Sequence, residues 1–121
     1  MPEKLVIMVT HGLDTPELAT IPFVMATAAQ ASEVDVVMGF QGDGVTLVKK
    51  GAAEDVCAPG FPPLKTLIDA YIEAGGQLLA CGPCIKTRNI NPETDFVEGA
   101  KVVNAVTFVK ECTETTNVLN Y

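Results

Sequence analysis

The chain is predicted to be an α/β protein, a three-layer α/β/α sandwich around a mainly parallel sheet of about five strands. Short runs that are apolar at nearly every position, such as Leu5-Val6-Ile7-Met8-Val9, read as strands covered on both faces. Helical segments alternate with them along the chain, which is the pattern of parallel strands joined by crossovers. The segment over residues 64–74 is amphipathic with helical spacing, so at least one crossover carries its own buried stripe.

Each element has its own justification. Residues 4–10 form the first strand, and residues 11–16 a turn with Asp14 or Thr15 as helix N-cap and Pro16 at a first helical position. The helix is expected over residues 21–31, with Pro22 confined to its first turn because proline has no backbone N–H to donate. Residues 34–40 are a second buried strand. Gln41-Gly42-Asp43-Gly44 is a turn, and Asp43 starts a short helix over residues 45–50. Residues 51–63 form a long loop that holds Cys57 and the prolines Pro59, Pro62 and Pro63. The helix over 64–74 is apolar at Leu64, Leu67, Ile68, Tyr71 and Ile72 and is stopped by Gly75-Gly76. Residues 77–80 are the third strand and 83–88 a short helix. A brief strand over 101–104, a helix over 105–112 and a strand over 117–120 complete the set.

At 121 residues the chain is expected to form a single domain over residues 1–121, burying roughly two-thirds of its unfolded surface. A hydrophobic fraction of 48% excludes wholesale disorder. Eight Lys plus Arg against fifteen Asp plus Glu leave a net charge of −7 and no basic stripe, which argues against nucleic acid and against an anionic membrane surface as partners. No apolar run approaches the roughly 18 residues of a membrane span. The start, Met1-Pro2-Glu3-Lys4, shows neither a basic n-region nor a cleavage site, so a cytoplasmic location is expected. In that compartment four cysteines read as catalytic, metal-binding or buried thiols rather than structural disulfides.

In parallel sheets, sites gather at the carboxyl ends of the strands, where this chain places His11, the Gln41–Gly44 turn and Cys81-Gly82-Pro83-Cys84. Cys81 is the leading candidate nucleophile. It follows a buried strand and precedes a helix start with Pro83 near its first position, and Lys86 and Arg88 add positive charge. All of these are expected to lower a thiol pKa, and Gly82 leaves the sulfur approachable. Cys84 either resolves a bond on Cys81 or packs on the inner face of the short helix. The letters Cys-Gly-Pro-Cys are those of thioredoxin-type proteins, yet the motif lies two-thirds along the chain, after Ala80, in a sequence with no tryptophan. His11, the single histidine, could bond or deprotonate a thiol, hold an anion, or cap its own turn. No metal site is expected, since no second C-x-x-C exists and a set built from His11, Cys57, Cys81 and Cys84 would require the long loop to fold over the strand ends. Cys112 reads as core.

Together Thr10-His11-Gly12, Gln41-Gly42-Asp43-Gly44-Val45, Ala58-Pro59-Gly60-Phe61-Pro62-Pro63, and Leu78-Leu79-Ala80-Cys81 followed by Arg88-Asn89-Ile90 resemble the DsrE/DsrF-like family of the TusD and YchN type. The resemblance spans nearly the whole chain and implies a homo-oligomer, a trimer or hexamer, with no cofactor. It also implies a sulfur carrier or sulfurtransferase, in which the family cysteine maps onto Cys81, takes persulfide sulfur from a donor protein and passes it to an acceptor. Asn89 stands where the family pattern has glycine, and asparagine tolerates the left-handed conformation a glycine would supply. Cys84 departs from the better-known carriers. A thiol–disulfide oxidoreductase or redox sensor using Cys81 and Cys84, or a non-enzymatic oligomeric binding protein, are the rival readings.

Overall fold

The structure, a computed structural model, describes residues 3–121. Met1 and Pro2, part of the stretch in which no secretory signal is read, lie outside the described residues. The elements run β1 (Lys4–Val9), α1 (Pro16–Ala31), β2 (Asp35–Phe40), a 3-10 helix (Gly42–Val48), α2 (Leu64–Glu73), β3 (Gln77–Cys81), α3 (Gly82–Thr87), β4 (Ala100–Val103), α4 (Ala105–Thr113) and β5 (Val118–Asn120). The strands form one sheet in the order β4-β3-β2-β1-β5. Every pairing in it is parallel, with Lys4 opposite Asp35, Phe40 opposite Ala80 and Cys81 opposite Val103.

The unbroken apolar runs of β1 and β2 follow from their central places, because both faces are covered. On one face Ile7, Val9, Met38, Phe40, Leu78 and Ala80 pack under α1 and α2. Phe23 of α1 lies 5.9 Å from the Phe40 ring and 6.0 Å from that of Tyr71, an aromatic cluster that ties both helices to the sheet. On the other face Val6, Met8, Val37 and Leu79 are covered by Phe108 of α4. The alternation of side chains along β3 puts Leu78 and Ala80 on the first face, and Leu79 and Cys81 on the second.

Two expectations need correction. α1 begins at Pro16 with Thr15 at its cap, as the turn predicts, but it runs unbroken through residues 16–20, so Pro22 lies inside the helix rather than in its first turn. A proline there forfeits one bond, to the Leu18 carbonyl, at a cost of about 3 kcal/mol. Burial of Ala19, Thr20, Pro22, Phe23 and Ala26 offsets it, and Leu18 itself is exposed, so water can serve its carbonyl. The segment after β2 is a 3-10 helix starting at Gly42 with Gln41 at its cap, so Asp43 lies within its first turn instead of capping it.

Three helices close on the same device. After α2 the Gly75 N–H donates to Ile72 O and the Gly76 N–H to Tyr71 O, with Gly75 at φ +89°. After α3 the Asn89 N–H donates to Lys86 O and the Ile90 N–H to Ile85 O, with Asn89 at φ +56°. After α1 Glu33, at φ +62°, takes the same place. In each the left-handed residue lets two final carbonyls find donors. Asparagine therefore does at position 89 what glycine does at 75.

Candidate functional site at the carboxyl edge of the sheet

The ends of β1, β2 and β3 meet at one edge. The Gln41 N–H donates to Val9 O at 3.0 Å, and Gly44 lies so close to the Val9 carbonyl that a side chain there would collide with backbone. Gly12 meets the Asp43 carbonyl in the same way. These two glycines let the turn after β2 settle against the end of β1, and that places Gly42 beside the start of α3.

Cys81 is the last residue of β3 and the cap of α3, and it is half-buried between the two apolar clusters. Its Sγ lies 2.8 Å from Cys84 Sγ. The Gly42 N–H donates to Cys84 Sγ at 3.2 Å. Arg88 does not point freely at the thiols. One guanidinium nitrogen donates to Cys84 O at 3.1 Å and the other pairs with Asp43 Oδ1 at 2.8 Å. Lys86 is exposed, and its side chain makes no hydrogen bond or ion pair among the described residues. A methyl at Gly82 would lie 3.4 Å from Val102 Cγ1 and 3.6 Å from Val103 O, so the opening at this residue faces the edge strand β4.

The expected lowering of the Cys81 pKa is not what this geometry produces. Burial is the largest influence and pushes the thiol up, and the hydrogen bond to Cys84 pushes it further the same way. The Cys84 backbone N–H pulls it down, the charge of Cys84 adds to the rise, and Arg88 lowers it least of all. The physical reasons are plain: α3 is only six residues long, Arg88 is committed to Asp43, and Lys86 faces solvent. The second thiol outweighs the helix start.

His11 is half-buried just past the end of β1, and among the described residues its ring makes one long contact, 3.5 Å from Thr10 Oγ1 to Nδ1, and no bond to either thiol. Cys57 is exposed and turns back on its own loop, its Sγ 3.8 Å from Phe61 O. Among the described residues, no group of three or more His, Cys, Asp and Glu comes together as a metal site would require. Cys112, a residue of α4, is half-buried against the cluster of Val6, Met8, Val37, Leu79 and Phe108. The sequence places the Gln41–Gly44 turn at this edge but gives no site role to Gly42 or Asp43, whose contacts with Cys84 and Arg88 it does not show. Their turn explained itself locally, and nothing in one chain marks a partner 45 positions away.

A fully parallel sheet with a half-buried vicinal thiol pair at its carboxyl edge defines a small α/β thiol protein. The DsrE/DsrF-like family matches residues 3–121, and the chain belongs to that family. It is 33% identical over 97 residues to the uncharacterized protein MK0008 of Methanopyrus kandleri, covering 80% of this chain and 74% of that one. It is 30% identical over 107 residues to the uncharacterized protein MJ0760 of Methanocaldococcus jannaschii, covering 88% of this chain but 38% of that longer protein. The fold is that of the YchN protein of E. coli, with a TM-score of 0.81 at 18% identity over the full length of both chains. It is similar as well to MTH1491 of Methanobacterium thermoautotrophicum, with a TM-score of 0.71 at 14% identity over 98% of this chain and 99% of that one. Among the described residues no helix is long and apolar enough to cross a membrane.

Proposed function

We propose that the chain is a cytoplasmic, single-domain sulfur carrier or sulfurtransferase, taking sulfane sulfur on Cys81 and passing it from a donor protein to an acceptor protein. The observation that carries this reading is the place of Cys81 Sγ at the end of β3, half-buried, beside a second sulfur at 2.8 Å and within the field of Arg88. The Cys81 thiolate attacks the outer sulfur of a donor persulfide. The donor's S–S bond breaks, the donor leaves as thiolate, and Cys81 becomes the persulfide. The upward shift of Cys81 reduces its thiolate fraction at neutral pH but raises the nucleophilicity of each thiolate formed. A persulfide is more acidic than its parent thiol, so the loaded form ionises more readily than the empty one.

This chemistry needs no cofactor. Homo-oligomerisation, as a trimer or hexamer, is supported by α4, where Val106 and Val109 are 75% and 61% exposed over the thinner face of the sheet. The thiol contact also favours a second reading, a thiol–disulfide oxidoreductase or redox sensor, because two sulfurs at 2.8 Å need little movement to bond.

Intact-protein mass after anaerobic incubation with inorganic polysulfide separates these. The carrier reading expects Cys84→Ser to gain one sulfur atom and Cys81→Ser to gain none. Equal loading of both variants, or of neither, would remove it.

A further inference from the structure

We propose that Cys84 makes this carrier self-unloading: it attacks the loaded Cys81 at the sulfur bonded to carbon, releases the carried atom as hydrosulfide and leaves a Cys81–Cys84 disulfide. The inference rests on the reading of Cys81 as sulfur acceptor. In a loaded site the inner sulfur of the persulfide is Cys81 Sγ itself, the atom that Cys84 Sγ already touches at 2.8 Å. In-line displacement at that atom puts the outer sulfur on the side away from Cys84. Cys81 is half-buried rather than sealed, so hydrosulfide formed there can depart.

The alternative, attack on the outer sulfur, would hand the carried atom to Cys84 and expel Cys81 thiolate. Burial and the neighbouring Cys84 make that thiolate a poor leaving group. Hydrosulfide, the conjugate base of a stronger acid than an alkyl thiol, leaves more easily. The Gly42 N–H, 3.2 Å from Cys84 Sγ, holds the attacking sulfur in place and offers a donor to charge on it. Gly42 is thus a positioning residue, set by the close backbone packing of Gly44 against Val9.

The step balances. Cys84 thiolate and the Cys81 persulfide, R–S–SH, give the disulfide and HS⁻, the persulfide proton leaving with the hydrosulfide. In this step the carried sulfur gains one electron and Cys84 sulfur gives one, while Cys81 sulfur, already oxidised when it was loaded, is unchanged. A dithiol reductant supplies two electrons and two protons to reopen the pair for another round.

The test follows hydrosulfide and protein mass together, in anaerobic samples mixed with inorganic polysulfide and then freed of excess donor. Wild type is expected to release close to one hydrosulfide per loaded chain and to end two hydrogens lighter, with the bond mapped between Cys81 and Cys84. Cys84→Ser is expected to keep its added sulfur at least ten times longer and to form no disulfide. Wild-type persulfide that persists as long as that of Cys84→Ser overturns the inference while leaving the carrier reading intact. Failure of Cys84→Ser to load at all overturns both.

Discussion

Asn89 offers a quantitative test of how α3 is held. Its φ of +56° is a conformation that costs an ordinary L-residue about 1 kcal/mol and a β-branched one about 2 kcal/mol or more. Two bonds depend on it, Asn89 N–H to Lys86 O at 3.2 Å and Ile90 N–H to Ile85 O at 3.0 Å. The turn also presses Ile90, 6% exposed, towards the core that holds Ile85, 4% exposed. Asn89→Ala should therefore destabilise by about 1 kcal/mol and Asn89→Val by about 2 kcal/mol, whereas Asn89→Gly should match or exceed the wild type. For a chain of this length those losses lower the melting temperature by roughly 3–6 °C and 6–12 °C. Urea midpoints with unchanged slopes, alongside thermal scans, give the values. If Ala and Val are both neutral, or if Gly is the worst of the three, the left-handed closure of α3 is wrong and Arg88 is not held as described.

Three further outcomes follow from the same geometry. Because Cys84 raises the Cys81 pKa, Cys84→Ala should shift the pH profile of Cys81 alkylation to lower pH and speed it at pH 8; an unmoved profile would show that Cys84 does not act on Cys81. Replacing Val106 and Val109 by serine should alter chain stability by no more than about 0.5 kcal/mol per site, since both are exposed, while shrinking the assembly seen by light scattering. An unchanged mass would move the subunit interface away from α4. Phe108→Ala should cost about 3–5 kcal/mol by uncovering Val6, Met8, Val37 and Leu79, read as a lower denaturant midpoint.

The sheet was legible because its signals are local and redundant. The stretches 5–9 of β1 and 36–40 of β2 carry no charged residue since each strand lies between two others and two layers, and Gly75-Gly76 ends α2 by backbone chemistry that those residues announce. Pro22 misled for a physical reason: burial of Phe23 and its neighbours against the sheet outweighs a local penalty that a sequence displays and a core does not. Cys81 and Cys84 were visible as candidates from strand end and spacing. Their electrostatics were not, because the pKa of Cys81 depends on burial and on a sulfur 2.8 Å away more than on nearby charges in the sequence. Arg88 looked like a free cation until Asp43, 45 residues earlier, claimed it. Gly42 contributes a backbone N–H, a group that every residue except proline carries and no motif can flag.

The most direct measurement is the location of the acquired sulfur. Cys84→Ser is loaded anaerobically with polysulfide, alkylated and digested, and the added atom is assigned by peptide fragmentation. With Cys81 as the acceptor, the alkylated persulfide lies on Cys81, while Cys57 and Cys112 carry none. Sulfur found on Cys57 or Cys112 with Cys81 bare would contradict the reading of this edge of the sheet as the functional site.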